Sequence, residues 1–575
     1  MINKIKLCLL LCLLWHGVAN AQKSYEATGD IKVAKQFFLF GDYVTALKEF
    51  QYLYALDSNN PEYIYPLGIC YLNTNIDKRK SVPFLEKVVA QKDYDYEAMY
   101  QLGMAYMVTY RFDEAIECFQ KFKTLSAKDG DKNYIPVGRC IEMCENAVEL
   151  MKTPVNVAFE NLGPHINSPF PDYSPFINKN ETVMYYASKR PGNVGGLLDY
   201  DGYYTADVLQ SENKYGEWAK AKRLAPTLNT PLVEECAGLS SDGSQLFVFV
   251  DNLNAKMQMQ VSYKKGKSFQ ELKPMGPTIN APNDGANAIT ITGDKKIVFF
   301  SSAKDGGQGG SDIYMAKLLP SGQWGPAENL GKGINTKYDE DFPYLAPDGK
   351  TFYFASAGFN SMGGLDIFKC EWNRKENTFS EPVNMGYPIN TPEDNTTICF
   401  TGSGRYAYIS TLRNEDTYGN LDIYRVIFRD VKAGYTTVKA ILTEKDSVNI
   451  YSVFRKEIQK SIDTLKRNTD SVYLATHKLP DATLQAYKTK LAEARQKLIN
   501  GPDVSIQVQD AISLKPEGIY KPNRETGKFI VILSPGKYNI IINCEGFKEF
   551  KETFTIEDRE MPVIEMARSF LLTSN

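Results

Sequence analysis

Met275–Asn280 reads MGPTIN, Leu330–Asn335 reads LGKGIN and Met385–Asn390 reads MGYPIN, so one six-residue phrase recurs along this chain. The asparagines that end the three copies are 55 residues apart each time. Two looser copies, Leu162–Asn167 and Pro226–Asn229, extend the series towards the N-terminus. A repeat of about 50 residues with short β-type runs in every unit is typical of a β-propeller. The series therefore predicts five blades, and it directs the search for function to a surface built from repeats.

Each unit around the phrase has the content of one propeller blade. An aromatic residue precedes the final asparagine by eleven positions in four units: Trp218, Phe269, Trp324 and Phe379. A turn containing Gly and a run of β-branched and aromatic residues follow, and such runs suit strands that are buried on both faces. Four strands per unit predict a five-bladed propeller over residues 154–430. The last unit lacks an outer strand, so residues 154–163 are predicted to pair there and close the ring.

Acidic residues in these units admit a structural or a catalytic interpretation. Asp312, Asp366 and Asp422 occupy the same position of three units, which favours bonding to loop backbone over a single metal or catalytic cluster. The candidates for paired-carboxylate chemistry on glycans lie between the asparagine and the turn: Asp172, Glu234, Glu235, Asp284, Asp341 and Asp394. Their repetition favours structural roles. We therefore expect no enzyme activity, no cofactor and no metal, with a glycan-binding or glycan-cleaving propeller as the alternative.

Composition bounds the compartment and the partners. Residues 1–21 have the pattern of a secretory signal peptide, with Lys4 and Lys6 before an apolar core and Ala-Asn-Ala at its end. No later stretch has 18 uncharged apolar residues, so no transmembrane helix is expected. The net charge of −3 gives no electrostatic argument for binding nucleic acid. The three histidines of the chain disfavour a His-rich metal site.

Residues 26–152 show a second, helical repeat. Leu67-Gly68, Leu102-Gly103 and Val137-Gly138 recur at 35-residue spacing. The pattern resembles the tetratricopeptide repeat, whose helix pairs pack small residues against aromatic ones. The resemblance implies an α-helical solenoid of three repeats and a capping helix. It also implies a concave groove for protein partners, and register places these candidate partner-binding residues in it: Tyr65, Asn73, Tyr100 and Met104. Packing against a neighbouring helix or against the propeller is the other interpretation of these four residues.

Residues 435–557 carry a third pattern. Gly527-Lys528-Phe529, Pro535-Gly536-Lys537-Tyr538 and Glu545-Gly546-Phe547 resemble the carboxypeptidase regulatory-like domain, which implies a transthyretin-like β-sandwich. Residues 450–500 interrupt this pattern with helical spacing, and Pro480 followed by Asp481 is typical of a break and a new helix start. This stretch is predicted to be an inserted helical hairpin. Residues 558–575 are predicted to be a C-terminal tail.

The order of these parts is more specific than any one of them. The propeller units resemble the WD-repeat-like PD propellers related to TolB. The whole order is similar to envelope proteins of the Bacteroidota, including an accessory subunit family of type IX secretion. Those relatives continue into an OmpA-like domain, which has no counterpart in this sequence, so binding to peptidoglycan is not carried over. The resemblance implies a scaffold of the periplasm, associated with the outer membrane, that docks proteins of an envelope complex.

Overall fold

A computed structural model describes residues 25–127, 137–214, 217–251, 257–281, 286–413, 415–445, 448–476, 481–558 and 565–575. The predicted signal peptide lies outside these ranges. Within them the chain forms an array of helices, then five small sheets, then two further sheets with a pair of long helices between their strands. Every helix in these ranges is too short or too polar to cross a bilayer.

The helical array is a series in which each helix packs on the next. Its α-helices are α1 (Ile31–Phe40), α2 (Tyr43–Leu56), α3 (Pro61–Leu72), α4 (Ser81–Val89), α5 (Glu97–Val108), α6 (Phe112–Ser126) and α7 (Val137–Met151), and a 3₁₀ turn (Lys78–Lys80) precedes α4. The Leu-Gly pairs mark close helix contacts. A Cβ at Gly68 would lie 2.8 Å from Leu85 Cγ, and one at Gly103 would lie 2.7 Å from the ring of Phe119.

Five antiparallel sheets follow; the first four take their strands from consecutive stretches of the chain, and the fifth adds β1 to the last three strands of the series. The first four are β2 (Asp172–Ile177), β3 (Val183–Ser188), β4 (Asp207–Lys214), β5 (Glu217–Trp218) and β6 (Lys222–Arg223); β7 (Val233–Leu239), β8 (Gln245–Asp251), β9 (Gln258–Lys265), β10 (Ser268–Phe269) and β11 (Lys273–Pro274); β12 (Ile289–Ile291), β13 (Ile297–Ser302), β14 (Asp312–Lys317) and β15 (Glu328–Asn329); and β16 (Glu340–Leu345), β17 (Thr351–Ser356), β18 (Asp366–Asn373), β19 (Thr378–Phe379) and β20 (Val383–Asn384). The fifth contains β21 (Ile398–Phe400), β22 (Tyr406–Thr411), β23 (Asp422–Phe428) and β1 (Val157–Asn161).

The five sheets close into a ring, so the predicted β-propeller is confirmed. β1 pairs antiparallel with β23, with Val157 opposite Phe428 and Asn161 opposite Tyr424, as the closure argument predicts. The first strands of the first four sheets contact each other in series, and β2 also contacts β21 of the fifth sheet. Between the fourth and fifth sheets, the hydroxyl of Tyr344 accepts the N–H of Phe400 at 2.9 Å. Apolar side chains from neighbouring sheets fill the space between them.

The repeated asparagine holds each blade together, which explains why it recurs. Asn335 accepts the N–H of Ile313 at 2.8 Å and donates to the carbonyl of the same residue at 3.0 Å. Asn390 does the same with Ile367, at 2.8 and 2.9 Å. The clamped residue always lies on the third strand of a blade, and the asparagine lies in the turn that leads to the next blade. A buried side chain that satisfies two backbone groups is costly to replace.

The C-terminal module has two sheets that share one core. Its strands are β24 (Thr436–Glu444), β25 (Val448–Asn449), β26 (Val504–Asp510), β27 (Pro516–Tyr520), β28 (Lys528–Leu533), β29 (Gly536–Cys544), β30 (Phe550–Ile556) and β31 (Glu565–Leu571). One sheet has the order β27-β26-β29-β30. In the other, β24 lies between β28 and β31, and β25 continues the β28 side. Two helices, α8 (Ile450–Thr476) and α9 (Asp481–Asn500), separate β25 from β26 and pack on each other.

The assignment of residues 558–575 as a tail was wrong. β31 pairs in parallel with β24, from Thr437 opposite Glu565 to Thr443 opposite Leu571. Phe570 is buried in the core of the module. The strand was not predicted from the sequence because Arg568 interrupts the alternating apolar pattern that Met566 and Phe570 would otherwise form. Its guanidinium is held by Glu552 at 2.6 Å, so a charge occupies a position where the alternation needs an apolar side chain.

Candidate functional site

Helix α7 and several turns of the helical array lie against the loops of the propeller, and this junction is the candidate site. Arg139 of α7 forms its centre. The guanidinium donates to the carbonyls of Ala357 at 2.7 Å and Gly358 at 2.9 Å, and it lies 4.8 Å from the ring of Tyr338. The side chain is almost fully buried. A buried arginine that satisfies backbone carbonyls of another module fixes the orientation of the two modules.

A second set of contacts extends the junction along α7. Asn146 donates to the carbonyl of Ser361 at 3.0 Å. Met362 of the propeller is fully buried and belongs to the core of the helices rather than to that of a blade. The helical array and the propeller therefore share apolar core, and they form one continuous body at this point.

A cavity of about 430 Å³ lies at the junction. One wall is the segment after α3, where Lys78 pairs with Glu393 of the propeller at 2.5 Å. The other wall places Tyr110 edge-on to Tyr387, with ring centroids 6.3 Å apart. Arg413 also lines it, with its guanidinium 3.9 Å from the centroid of the Phe159 ring. Tyr110 has φ of 64°, a left-handed conformation that is strained for a bulky residue and that recurs at functional sites.

A smaller cavity of about 320 Å³ lies where α1 and α2 approach the first two blades. The hydroxyl of Tyr173 donates to Glu235 at 2.5 Å, and burial is the main cause that raises the pKa of Glu235. Lys189 lies 2.8 Å from Asp199 and 2.5 Å from Asp201. Burial lowers the pKa of Lys189, but these two carboxylates outweigh it and leave the pKa raised. Lys189 therefore stays charged and paired.

The sequence-predicted carboxylates are engaged by their own chain. Asp172 pairs with Arg190 at 2.5 Å and accepts the N–H of Ser168 at 2.7 Å. Glu234 accepts the N–H of Thr230 at 2.9 Å, and Asp341 accepts that of Phe342 at 2.7 Å. Asp394 accepts the N–H of Leu365 at 2.8 Å, and Asp284 lies outside the described residues. Asp172 and Glu234 bond residues of their own loops, whereas Asp394, Glu235 and Asp341 also bond groups on distant segments. The described members do not form a shared pair of carboxylates.

Burial also shifts the acidity of these groups. It raises the pKa of Glu234 to about 7, against hydrogen bonds from Thr230 that lower it. Glu340, which the sequence analysis did not single out, occupies the same position of the fourth blade, and burial raises its pKa to about 7 as well. A strongly perturbed acid is a functional-site signal only when it faces a cleft. Glu340 is fully buried and bonded to Thr336 and Ser356.

The aspartates of the Gly-rich loops also bond loop backbone. Asp312 accepts the N–H of Gly309 at 3.1 Å, Asp366 that of Met362 at 2.9 Å, and Asp422 that of Tyr418 at 2.7 Å. This is the structural interpretation made from the sequence. No cluster of three or more His, Cys, Asp or Glu side chains suited to a metal occurs among the described residues.

The four candidate partner-binding residues have different environments. Tyr65, Tyr100 and Met104 are half-buried and pack against the core of the helices. Burial raises the pKa of Tyr65 and of Tyr100 to about 12. Asn73 is exposed, donates to the carbonyl of Ile69 at 2.9 Å and lines the smaller cavity. Asn73 is thus the member of this set that reaches the junction.

Sequence reasoning missed Arg139, Lys78, Tyr110 and Arg413. One signal was present: the charged stretch Lys78–Lys80 interrupts the helical repeat, and the structure shows that this interruption forms part of the contact with the propeller. The other signal was Arg139 on the helix face that carries Met143 and Ala147, both of which are buried. An arginine on such a face needs polar partners from another element.

No family model matches the chain, and no curated protein matches it. Solved structures with a similar arrangement include a protein from Agrobacterium tumefaciens assigned as TolB, with 14% identity over 48% of this chain and 84% of that one and a TM-score of 0.30. An α-L-arabinofuranosidase from Lactobacillus brevis has 12% identity over 50% of this chain and 94% of that one, again with a TM-score of 0.30. A protein of unknown function from Dyadobacter fermentans has 13% identity over 45% and 77%, with a TM-score of 0.29. Likenesses at this level carry no argument about function.

Proposed function

We propose that this protein is a non-enzymatic scaffold that docks protein partners of an envelope complex. The observation that carries the proposal is the fixed junction at Arg139, Asn146 and Met362. It combines two modules of the interaction type into one rigid surface. A scaffold needs such rigidity, because partners held on modules that move independently would not keep a defined relative position.

The absence of enzyme activity is part of this proposal. Two observations support it: the described candidate carboxylates accept hydrogen bonds from other groups of this chain, and an acid recurs five residues after the repeated asparagine in several blades, as at Asp172, Glu234 and Glu340. A catalytic pair would need two acids at one place with free oxygens. No cofactor or metal is proposed.

The proposed location is the periplasm, at the outer membrane and through a protein partner. The signal-peptide pattern of residues 1–21 and the resemblance of the module order to envelope proteins of the Bacteroidota support it. A type IX secretion complex is the candidate assembly. Neither nucleic acid nor peptidoglycan is among the proposed ligands.

Glycan binding is the second candidate function, and the larger junction cavity favours it. Two tyrosines and several paired charges line about 430 Å³, a size that suits a small ligand. Aromatic rings beside hydrogen-bonding groups suit a sugar, since one surface is apolar and the other polar.

Crosslinking in intact envelopes, followed by affinity capture of the tagged full-length chain and mass spectrometry, tests the first candidate. We expect outer-membrane or secretion-complex proteins in stoichiometric amounts. The variant Tyr110→Ala with Tyr387→Ala should reduce their recovery at least about fivefold if docking uses the junction cavity. Ile512→Ser, at an exposed residue of the C-terminal module, is the matched control. Capture that stays at background would contradict the scaffold, and the protein should then be titrated against polysaccharides.

A further inference from the structure

One edge strand of the C-terminal module lacks the features that protect sheet edges. β28, Lys528–Leu533, reads KFIVIL, and among the described residues it pairs with β24 alone. Its outward side chains Ile530 and Ile532 are 54% and 61% exposed. Free sheet edges in soluble proteins usually carry charges, prolines or bulges that prevent pairing with another chain. β28 has only Lys528, at its first position.

The other three edges of the module do carry such protection. β27 begins at Pro516 and pairs with β26 through a register shift. β30 includes Lys551 and Glu552, and β31 includes Arg568 in its apolar series. β28 is therefore the unprotected edge among the four edge strands described in this module, and we expect another strand to pair with it.

The backbone of β28 shows which groups face the free edge. The carbonyl of Gly527 accepts the N–H of Leu442 on β24, whereas the carbonyl of Lys528 accepts the N–H of Asn523 on the other side. Successive residues of a strand direct their N–H and C=O groups to opposite sides. Ile530 and Ile532 therefore present two N–H and two C=O groups at the free edge.

We infer that β28 pairs antiparallel with β28 of a second copy of this chain. One register satisfies all the free groups: Ile530 lies opposite Ile532 of the second copy, and the twofold axis passes between the two Val531 residues. Each Ile530–Ile532 pair exchanges two hydrogen bonds, which gives four in total. The same register places Phe529 opposite Leu533, so apolar residues meet on the core face as well.

The charges of the outer face are compatible with this pairing. Lys439 stands beside Ile530 on β24 and pairs with Glu565 of its own chain at 2.6 Å, and Thr437 stands beside Ile532. Four isoleucines thus meet at the seam, and no two like charges face each other. The ladder is short and buries less than the roughly 800 Å² per partner of a standard interface. The expected dimer is therefore weak, with a dissociation constant on the order of tens of micromolar.

Sedimentation velocity of the full chain between about 1 and 200 micromolar tests the association. The weight-average mass should rise from one chain of 64.8 kDa towards twice that value. Ile530→Lys with Ile532→Lys should abolish the rise, because it places four lysines at the seam. The matched control is Ile512→Lys with Ile519→Lys, which alters two isoleucines that are 86% and 71% exposed, one in the turn between β26 and β27 and one on β27. Circular dichroism melts confirm that both variants fold.

A cysteine crosslink tests the register. In the proposed pairing the two Val531 residues form a non-hydrogen-bonded pair with Cα atoms about 4.5 Å apart, within disulfide range. Oxidation of Val531→Cys should give a covalent dimer. Ile530→Cys should give none, since its two copies would be more than about 7 Å apart. A chain that stays monomeric, a dimer that survives the lysine variant, or a crosslink at position 530 instead of 531 would each overturn the inference. A monomer that instead binds a strand of another protein at β28 would overturn it too.

Discussion

Replacing Arg139 by methionine should release the helical array from the propeller while both modules stay folded. Methionine keeps the unbranched apolar part of the side chain and removes the guanidinium. That group donates its shortest bonds to the carbonyls of Ala357 and Gly358, at 2.7 and 2.9 Å. Hydrogen bonds from charged groups contribute about 1.5–3 kcal/mol each.

Counting only these two bonds, at the low end, gives a loss of about 3 kcal/mol at the junction. This corresponds to an increase of about 100-fold in the equilibrium constant for separation of the two modules. The loss should be local, because Arg139 lies outside the cores of the five blades. Hydrogen exchange measures this loss directly. Amides of α7 and of residues 357–362 should exchange faster in the variant, while the exchange rates of amides in β22 and β23 should not change.

Glu142→Gln is the matched control. Glu142 pairs with Arg139 at 2.9 Å but is about half exposed, so its loss should cost well under about 1 kcal/mol. The reasoning is refuted if Arg139→Met raises exchange at α7 and residues 357–362 no more than Glu142→Gln does. It is also refuted if exchange rises equally throughout the propeller, because the arginine would then stabilise the blades rather than the junction.

Three further changes test the account of the blades. Asn335→Leu removes both hydrogen bonds to Ile313 and should lower the free energy of unfolding by about 2–4 kcal/mol in guanidinium titrations. Lys332→Leu changes an exposed residue of the same six-residue phrase and should leave the free energy of unfolding nearly unchanged. Equal effects of the two variants would contradict the role assigned to Asn335. Glu340 has a folded-state pKa of about 7, above its unfolded value, so its contribution to stability is fully present below about pH 4.5 and is lost as pH rises towards 7. Glu340→Gln should therefore gain stability relative to the wild-type chain between pH 5 and pH 8, by roughly 1–3 kcal/mol in urea titrations, and an unchanged difference between the two pH values would refute the assignment. Gly309→Ala should destabilise by about 2 kcal/mol or more, because a Cβ there would collide with the carbonyl of Tyr338, while Gly333→Ala meets no atom within 4 Å and should be close to neutral in thermal melts.

The sequence predicted the propeller because its repeated residues act within single units. Each asparagine clamps one backbone position, and each Gly-rich loop ends in an aspartate that bonds that same loop. Apart from Asn167, which clamps Ile423 of the last unit, these interactions are local in sequence, so selection for them leaves a period. The ring closure was also predictable, since the last unit lacked an outer strand and one segment, residues 154–163, matched it; residues 157–161 of that segment form β1.

The junction was not predictable, because its residues follow no period. The carbonyls that Arg139 binds lie more than 200 positions further along the chain, and only the fold brings them together. The groove residues were chosen by helical register, and register identifies a helix face without telling what covers it. Tyr100 illustrates this: its ring packs 5.9 Å from Phe119 and 5.6 Å from Phe122, so it serves the array itself.

The repeat also supplies a natural comparison for its acidic positions. Five residues after the repeated asparagine, Glu234 accepts the N–H of Thr230 at 2.9 Å and Glu340 that of Thr336 at 2.5 Å. In the fifth blade the same position is Asn395, whose side-chain oxygen accepts the N–H of Thr391 at 2.6 Å. An uncharged amide therefore makes the same contact as the acids. This position therefore requires a hydrogen-bond acceptor for a buried N–H. It requires neither a negative charge nor an acid that can release a proton, because the side-chain amide of Asn395 is neither. The equivalence supports a structural role for these acids in the proposed scaffold, and it is the reason to expect that Glu340→Gln keeps the fold.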